Sequence, residues 1–313
     1  MEAGTQAIGA AAPGVEPLGA ARRRWGEELI RALLFLAAAI SILTTIGIVV
    51  ALIEESVSFF DEVGTRFFTD SEWNPLFADP QFGIWQLLNG TFLITGIAIL
   101  VAIPVGLGSA IYLSEYAAPG VRRVIKPALE VLVGVPTVVF GYFALTFVTP
   151  TILQDILGVN VQIFNALAAG LVMGVMIVPT VASLSEDAMS AVPNSMRQGS
   201  AALGANRMQT SVRVVFPAAL SGIVAAIVLG VSRAVGETMI VAIAAGGQAR
   251  IVTGPLQQGQ TMTGFIANAA LGDSRVGSIE YDTLFAVGLL LFAITLLINF
   301  ISFRFVRRFR EAY

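Results

Sequence analysis

The sequence predicts an all-α polytopic membrane protein with six transmembrane helices and both termini in the cytoplasm. Of the 313 residues, 56% are hydrophobic and only 12% are charged, whereas soluble domains carry about 25% charged residues. The apolar residues are concentrated in six runs, each near the roughly 20 residues that cross a bilayer as a helix. The basic residues cluster in alternate connecting segments, as the positive-inside rule requires of such a chain.

The chain begins with a stretch rich in Ala, Gly and Pro. We predict residues 1–30 to be a disordered cytoplasmic tail, since this composition offers little apolar surface to bury. Residues 31–310 form the predicted transmembrane domain. The first apolar run is uncharged and is too long for a signal-peptide core of about 7–15 residues. The six predicted spans are 32–53, 87–113, 127–147, 163–184, 218–245 and 284–303.

The later spans differ in the residues that interrupt them. The second and third spans each contain an internal proline. The fourth carries Gly170 and Gly174, whose four-residue spacing lets a neighbouring helix approach closely. A polar loop, residues 185–217, separates the fourth span from the fifth, and a loop rich in Gly and Gln, residues 246–282, precedes the sixth.

The charge distribution decides the number of spans. With the amino terminus in the cytoplasm, 14 of the 18 basic residues lie in segments predicted to be cytoplasmic. Three basic residues, Arg66, Arg250 and Arg275, fall in the predicted outer segments, which hold eleven acidic residues. The remaining basic residue, Arg233, lies inside the fifth span. Five or seven spans would destroy this asymmetry, so the charges favour six.

Several classes of chemistry are excluded by residues that the sequence lacks. It contains neither cysteine nor histidine, which rules out disulfides, thiolate nucleophiles and the usual zinc sites. Its only lysine, Lys126, does not belong to a phosphate-binding P-loop motif. The net charge of −3 gives no reason to expect a nucleic-acid partner. We therefore expect this chain to bind no cofactor of its own.

The first functional candidate is the 185–217 loop. A helix can begin near Pro193, because proline is favoured at a first helical position, and Gly204 is suited to end it. Asn206 could then cap a second short helix. The loop is predicted to be two helices joined by a glycine turn at the membrane surface. An amphipathic connector without further function is the alternative interpretation.

The second candidate is a pair of charges in the fifth span. Arg233 lies in an otherwise apolar helix, and Glu237 follows four residues later, on the same face of a continuous helix. An ionisable residue at membrane depth is costly and indicates function by default. We place Arg233 roughly 22 Å along the span, past the bilayer midplane. The alternative is that Arg233 and Glu237 only neutralise each other.

A helix–glycine–helix loop followed by a span with charged residues resembles the arrangement in permease subunits of binding-protein-dependent ABC importers. The inner loop of that family carries the pattern E-A-A-x-x-x-G. Here Gln198, Gly199 and Ser200 stand where Glu-Ala-Ala is usual, Gly204 matches the glycine, and Ala205 follows it. The missing glutamate weakens a role for a carboxylate at Gln198 but leaves the helix–glycine–helix form.

A closer resemblance is to permeases of phosphate importers of the PstC type. The stretch Arg233–Met239, which includes Thr238, resembles the R-A-x-G-E-T-M signature of those permeases. The stretches 83–91, 111–116, 136–141 and 185–193 are also similar, so the likeness covers about residues 30–305. Permeases of the sister PstA type usually have a small residue after Gly-Glu-Thr, so Met239 favours the PstC type.

The resemblance implies a fold, partners and site residues. The fold is the type I permease fold of ABC importers, and the cargo is inorganic phosphate. The implied partners are a PstA-type sister permease, two PstB-type ATPase subunits that hold the ATP, a PstS-type external phosphate-binding protein and the lipid of a prokaryotic inner membrane. Arg233, Glu237 and Thr238 are expected in the substrate path. The residues expected to couple to the ATPase are Gln198, Gly199, Ser200, Gly204 and Ala205.

Other functions remain open on the sequence. The chain could be an ABC permease for another oxyanion, or an ion-coupled secondary transporter of phosphate in which Glu237 carries a proton. Secondary transporters often show inverted repeats, and no convincing repeat is visible here. A membrane scaffold without transport would not need Arg233. A membrane enzyme is disfavoured because no set of nucleophile and base is found.

Overall fold

The computed structural model describes residues 25–75, 77, 79–272, 275 and 277–308. These residues are mostly helical, with one short antiparallel strand pair, β1 (Trp73–Asn74) and β2 (Gln81–Phe82). Three segments have π-helical hydrogen bonding: Tyr112–Tyr116, Ala144–Ile156 and Ser211–Val215. The helices in chain order are α1 (Trp25–Val63), α2 (Arg66–Thr69), α3 (Trp85–Ile111), α4 (Pro119–Val133), α5 (Thr137–Phe143), α6 (Ala166–Ser190), α7 (Asn194–Ala202), α8 (Arg207–Thr210), α9 (Phe216–Ala218), α10 (Leu220–Val235), α11 (Met239–Ala244), α12 (Met262–Ala270) and α13 (Ile279–Arg308).

The chain divides into two units, residues 1–51 and residues 52–313. In the first unit, the described residues belong to α1 and expose apolar side chains such as Phe35, as a helix in lipid requires. Residues 1–24 of the predicted tail lie outside the described residues. The prediction of disorder is wrong for residues 25–30, which are helical. Acidic side chains in the first turn of α1 favour a helix start there.

Five helical stretches among the described residues are long and apolar enough to cross a membrane. A sixth crossing is obtained if residues 207–218 and α10, which meet at an angle of 73°, count as one broken span. The all-α fold with several membrane helices is therefore confirmed. The side of the membrane on which the termini lie stays a prediction.

The bounds predicted for the third span, residues 127–147, are wrong. Helix α4 covers the start of this range and is an amphipathic helix without a buried residue among those described. The chain leaves the helical conformation before Pro136, because a proline disfavours α-helical geometry in the residue that precedes it. The apolar stretch that could cross the membrane is Thr137–Ile156, formed by α5 and the π-helical segment that continues it.

The fifth span, predicted as one helix over residues 218–245, is broken. Helix α10 begins after a bend at Ala219 and ends at Val235, and α11 begins only at Met239. The loop predictions also need correction. Residues 185–190 belong to the end of α6, and the 246–282 loop contains α12.

Glycines let α3, α6 and α10 pack closely. A Cβ atom on Gly170 of α6 would lie 2.7 Å from the Ile97 Cβ of α3, and one on Gly222 of α10 would lie 2.5 Å from the Ala188 Cβ of α6. Both distances are shorter than real Cβ contacts, so only glycine permits these helix separations. The predicted small-residue spacing in the fourth span is therefore confirmed as a helix contact.

Candidate functional site

The first part of the candidate site is the break between α10 and α11. Gly236 ends α10, and the chain passes through Glu237 and Thr238 before α11 begins. The carbonyl of Glu237 accepts a hydrogen bond of 2.7 Å from Thr263 Oγ1, close to the start of α12. The break is therefore held by a contact with a segment that is distant in the sequence.

Glu237 stabilises the start of α11. Its Oε1 accepts hydrogen bonds from the backbone N–H groups of Met239 and Ile240, at 3.1 and 3.4 Å, and its side chain is buried. The first N–H groups of a helix lack partners within the helix and carry partial positive charge, so a carboxylate is favourable there. The predicted i, i+4 pair with Arg233 is wrong, because Glu237 lies beyond the end of α10 and turns towards α11.

Arg233 lies in the last turn of α10 and is half-buried. Its Nη1 is 3.5 Å from Thr180 Oγ1 of α6. Among the described residues, no carboxylate forms an ion pair with it. A guanidinium has five N–H donors and cannot lose its charge in a protein. Arg233 therefore keeps unused donors and an uncompensated charge next to the break.

Thr238 lies in the same break and is half-buried. Its hydroxyl donates to the carbonyl of Gly236 at 3.2 Å, across the turn between the two helices. The structure thus places Arg233 just before the helix break and Thr238 within it. The Glu237 carboxylate caps the start of α11.

The second part of the site is the 185–217 loop, whose predicted helix–glycine–helix form is confirmed. Helix α7 contains Gln198, Gly199 and Ser200, and the chain turns at Gly204, which has a φ of +84°. Asn206 then forms a capping box with Gln209 at the start of α8. The turn is stabilised further by a 2.9 Å hydrogen bond between the hydroxyls of residues 200 and 210.

The tip of this loop is open. Leu203 is 91% exposed, Gln198 and Gly199 are exposed, and Ala205 is half-buried. No heavy atom lies within 4 Å of a Cβ built on Gly204. The tip therefore presents a large apolar side chain, Leu203, at the end of an otherwise polar loop.

Arg197 joins this loop to the membrane helices. Its guanidinium contacts Glu115, at the π-helical end of α3, with an Nη2–Oε1 distance of 2.9 Å. It also donates to the carbonyls of Met189 and Val192 at the end of α6, at 2.8 and 2.6 Å. Cations that bind the last carbonyls of a helix stabilise its C-terminus. One side chain therefore holds α3, α6 and α7 together.

A second ion-pair cluster lies beside it. Glu186 of α6 is fully buried and contacts Arg122 and Lys126 of α4, with 2.8 Å between Lys126 Nζ and Glu186 Oε2. Lys126 also pairs with Asp187. The hydrogen bonds to Asp187 and Glu186 raise the pKa of Lys126 above its usual value, because they favour its charged form.

No local sequence pattern predicts these two clusters. Glu115 and the stretch around Glu186 enter only as part of a resemblance, and their partners lie 60 to 82 residues away along the chain. Pairing over such a distance has no periodic signal. The only hint was the presence of acidic residues at the predicted cytoplasmic ends of two spans.

Comparison with known proteins identifies the family. Residues 102–311 match the family described as the binding-protein-dependent transport system inner membrane component. The chain belongs to this family. Membership makes it a multi-pass inner-membrane permease subunit of an ABC importer, which works with other subunits and is not itself an enzyme.

Curated relatives match most of this permease. It is 38% identical over 244 residues to the probable ABC transporter permease protein YqgH of Bacillus subtilis, covering 76% of this chain and 78% of the relative. It is 31% identical over 280 residues to the phosphate transport system permease protein PstC of Mesorhizobium japonicum, covering 84% of each chain. PstC 1 of Mycobacterium tuberculosis is 34% identical over 282 residues, covering 78% of this chain and 82% of the relative.

Solved structures show the same fold at lower identity. A chain of a bacterial alginate ABC transporter matches this permease with a TM-score of 0.62 at 16% identity, covering 91% of this chain and 98% of that chain. A chain of the MetNI methionine transporter matches with a TM-score of 0.54 at 23% identity, covering 73% and 95%. These likenesses support the ABC importer permease fold that the resemblance implied.

Proposed function

We propose that this permease is the PstC-type subunit of an ATP-driven importer of inorganic phosphate. It forms half of the translocation path with a PstA-type sister permease. Two PstB-type ATPase subunits supply the energy, and a PstS-type binding protein delivers phosphate from outside. The observation that carries the proposal is the half-buried Arg233 at the end of α10, which has no carboxylate partner among the described residues. The chain's relatives also include several permeases named for phosphate.

The chemistry of Arg233 suits this cargo. Phosphate carries one or two negative charges near neutral pH, and a guanidinium can donate two parallel hydrogen bonds to its oxygens. A cation without a carboxylate partner at membrane depth is costly, and an anion that passes along the path offsets that cost. Thr238 supplies a hydroxyl on the other side of the break. Glu237 keeps the break open by capping α11, and its negative charge makes tight binding of an anion unfavourable.

We propose that energy reaches this chain from a partner, because its sequence contains no P-loop motif. We propose that the exposed tip of the 185–217 loop, from Gln198 to Ala205, contacts the ATPase in the cytoplasm. Through its contacts with Glu115 and with the end of α6, Arg197 transmits movement of α7 to α3 and α6. In this arrangement both termini are cytoplasmic, and the loops that precede α6 and α13 face outwards.

The test is phosphate uptake by the complete importer reconstituted in vesicles, with loaded binding protein supplied on the outside. Arg233→Gln should abolish uptake without loss of assembly. Arg233→Lys should restore only part of it, since an ammonium cannot form two parallel bonds to phosphate. Arg304→Gln, in the last turns of α13, is the matched control, because it removes the charge of an exposed arginine.

A double variant distinguishes a role of Arg233 in phosphate transport from mere charge balance with Glu237. If Arg233 and Glu237 only balanced each other's charge, Arg233→Gln combined with Glu237→Gln would take up phosphate at near wild-type rate, and our assignment would be wrong. Competition by arsenate, sulfate and molybdate in the same assay decides which oxyanion is the cargo. Dependence on ATP excludes an ion-coupled mechanism.

A further inference from the structure

A cavity of about 940 Å³ lies at the end of the bundle where α6 begins. Its walls come from β1, the chain after α11, α12 and the start of α13. At the start of α6, the backbone N–H groups of Asn165 and Ala166 donate hydrogen bonds to the carbonyls of Ala244 and Gln257, which lie in the same region. The 185–217 loop continues from the other end of this helix, roughly 37 Å away. The cavity is therefore on the side that our proposed topology places outside.

Two arginines line this cavity. Arg250 donates to the Gln258 carbonyl and to Gln162 Oε1, at 3.2 and 3.3 Å, and Arg275 is exposed. Neither forms an ion pair with an acidic residue in the described part of the chain. By contrast, Arg66, the third basic residue of the predicted outer segments, forms an ion pair with Asp70, with 3.3 Å between Arg66 Nη2 and Asp70 Oδ2.

The other lining groups also favour an anion. Among the described lining residues, Glu280 is the single acidic one, against two arginines. The side-chain amides of Gln260 and Asn268 add hydrogen-bond donors to the walls. The cavity is thus a positive region within outer segments that are otherwise rich in acidic residues.

A buried donor without a partner lies in the same wall. Trp73 is 2% exposed and lines the cavity, and its indole Nε1 has no hydrogen-bond partner among the described residues. Buried indole N–H groups usually find an acceptor. Trp85 shows the usual arrangement, since its Nε1 donates to the Phe68 carbonyl at 2.8 Å. This N–H is itself sealed from the open cavity, so Trp73 reports on an anion in the cavity through its ring and not by donating to it.

We infer that this cavity is a receiving site for the oxyanion cargo, held by Arg250 and Arg275, with the ring of Trp73 in its wall. The inference rests on the proposed function, because it takes phosphate as the cargo. The cavity is larger than one phosphate ion, so the anion is held together with some of its water. Water-mediated contacts of this kind are enthalpically nearly as favourable as direct hydrogen bonds. The site would collect phosphate before it reaches Arg233.

The test uses the complete importer in lipid nanodiscs, titrated with inorganic phosphate while tryptophan emission is recorded. Phosphate should shift the emission, and Trp73→Phe should abolish this shift. Trp85→Phe should retain it, since Trp85 does not line the cavity. Arg250→Gln and Arg275→Gln should each weaken the apparent phosphate affinity about tenfold, equivalent to the loss of one charge-assisted contact. Arg66→Gln, the control outside the cavity, should leave the affinity unchanged.

The outcomes separate this inference from the proposed function. If uptake of phosphate is normal but phosphate does not change the Trp73-dependent emission, the receiving site is wrong and the function stands. If the importer transports another oxyanion, and that ion rather than phosphate shifts the emission, the site stands and the phosphate assignment is wrong. Loss of binding-protein attachment in the arginine variants, with an unchanged phosphate titration, would make the cavity a protein contact and overturn the inference.

Discussion

The turn at Gly204 offers the sharpest test of coupling. Gly204 has a φ of +84°, and no heavy atom lies within 4 Å of a Cβ placed there. Gly204→Val therefore meets no steric obstacle within this chain, and its cost is conformational. The left-handed region costs an L-residue about 1–2 kcal/mol, with β-branched residues at the high end or beyond. The population of the native turn should fall by a factor of about 5 to 30.

The assay is phosphate uptake together with ATP hydrolysis by the reconstituted importer. We expect Gly204→Val to reduce uptake at least about fivefold, in line with the loss of the native turn. The protein should still insert in the membrane, because the change lies outside the spans, and the external binding protein should still load phosphate. Gly204→Asn should retain most of the uptake, since asparagine tolerates the left-handed region.

Gly120→Val is the matched control. It adds the same side chain to an open, exposed position in α4, outside the loop that contacts the ATPase and without a left-handed backbone. Normal uptake in Gly204→Val would refute the reasoning that the turn must be left-handed. Equal loss in Gly204→Asn and Gly204→Val would show that side-chain volume at the ATPase contact, and not backbone conformation, is what matters.

Three further predictions concern the break between α10 and α11, the contacts of Arg197 and the sides of the membrane on which the loops lie. Glu237→Gln should insert and keep its melting temperature, because its amide oxygen can still accept from the start of α11, but it should alter uptake because the charge that opposes tight anion binding is lost. Glu237→Leu leaves two N–H groups unpaired at a cost of about 1–3 kcal/mol and should lower the melting temperature; equal melting temperatures in the two variants would contradict the capping role. Arg197→Met should reduce the phosphate transported per ATP hydrolysed, and an unchanged ratio would show that the contact with Glu115 does not transmit movement. A single cysteine at position 155 should react with an impermeant thiol reagent from outside and one at position 207 should not, and labelling of position 207 from outside would overturn the topology.

The sequence alone determined the features that depend on composition and local spacing. The share of apolar residues and their grouping were sufficient for a multi-span helical protein, because crossing a bilayer requires long apolar helices. The Gly170–Gly174 spacing predicted close helix packing, and the sequence of residues 185–217 predicted the helix–glycine–helix form of that loop. Gly204 and Asn206 have conformational preferences that act within a few residues, so neighbouring sequence was enough to place the turn.

Only the tertiary structure decided how charges and helix breaks are arranged. The residues around Gly236 are compatible with a continuous helix, and the break depends in part on a hydrogen bond from Thr263, which is 26 residues further along the chain. That break separates Arg233 from Glu237, although their spacing predicted a pair. The contacts of Arg197 with Glu115 and the unpartnered Nε1 of Trp73 likewise arise from segments that meet only after folding. Local periodicity reports the face on which a residue lies within one helix, but it carries no information about what another helix brings to that face.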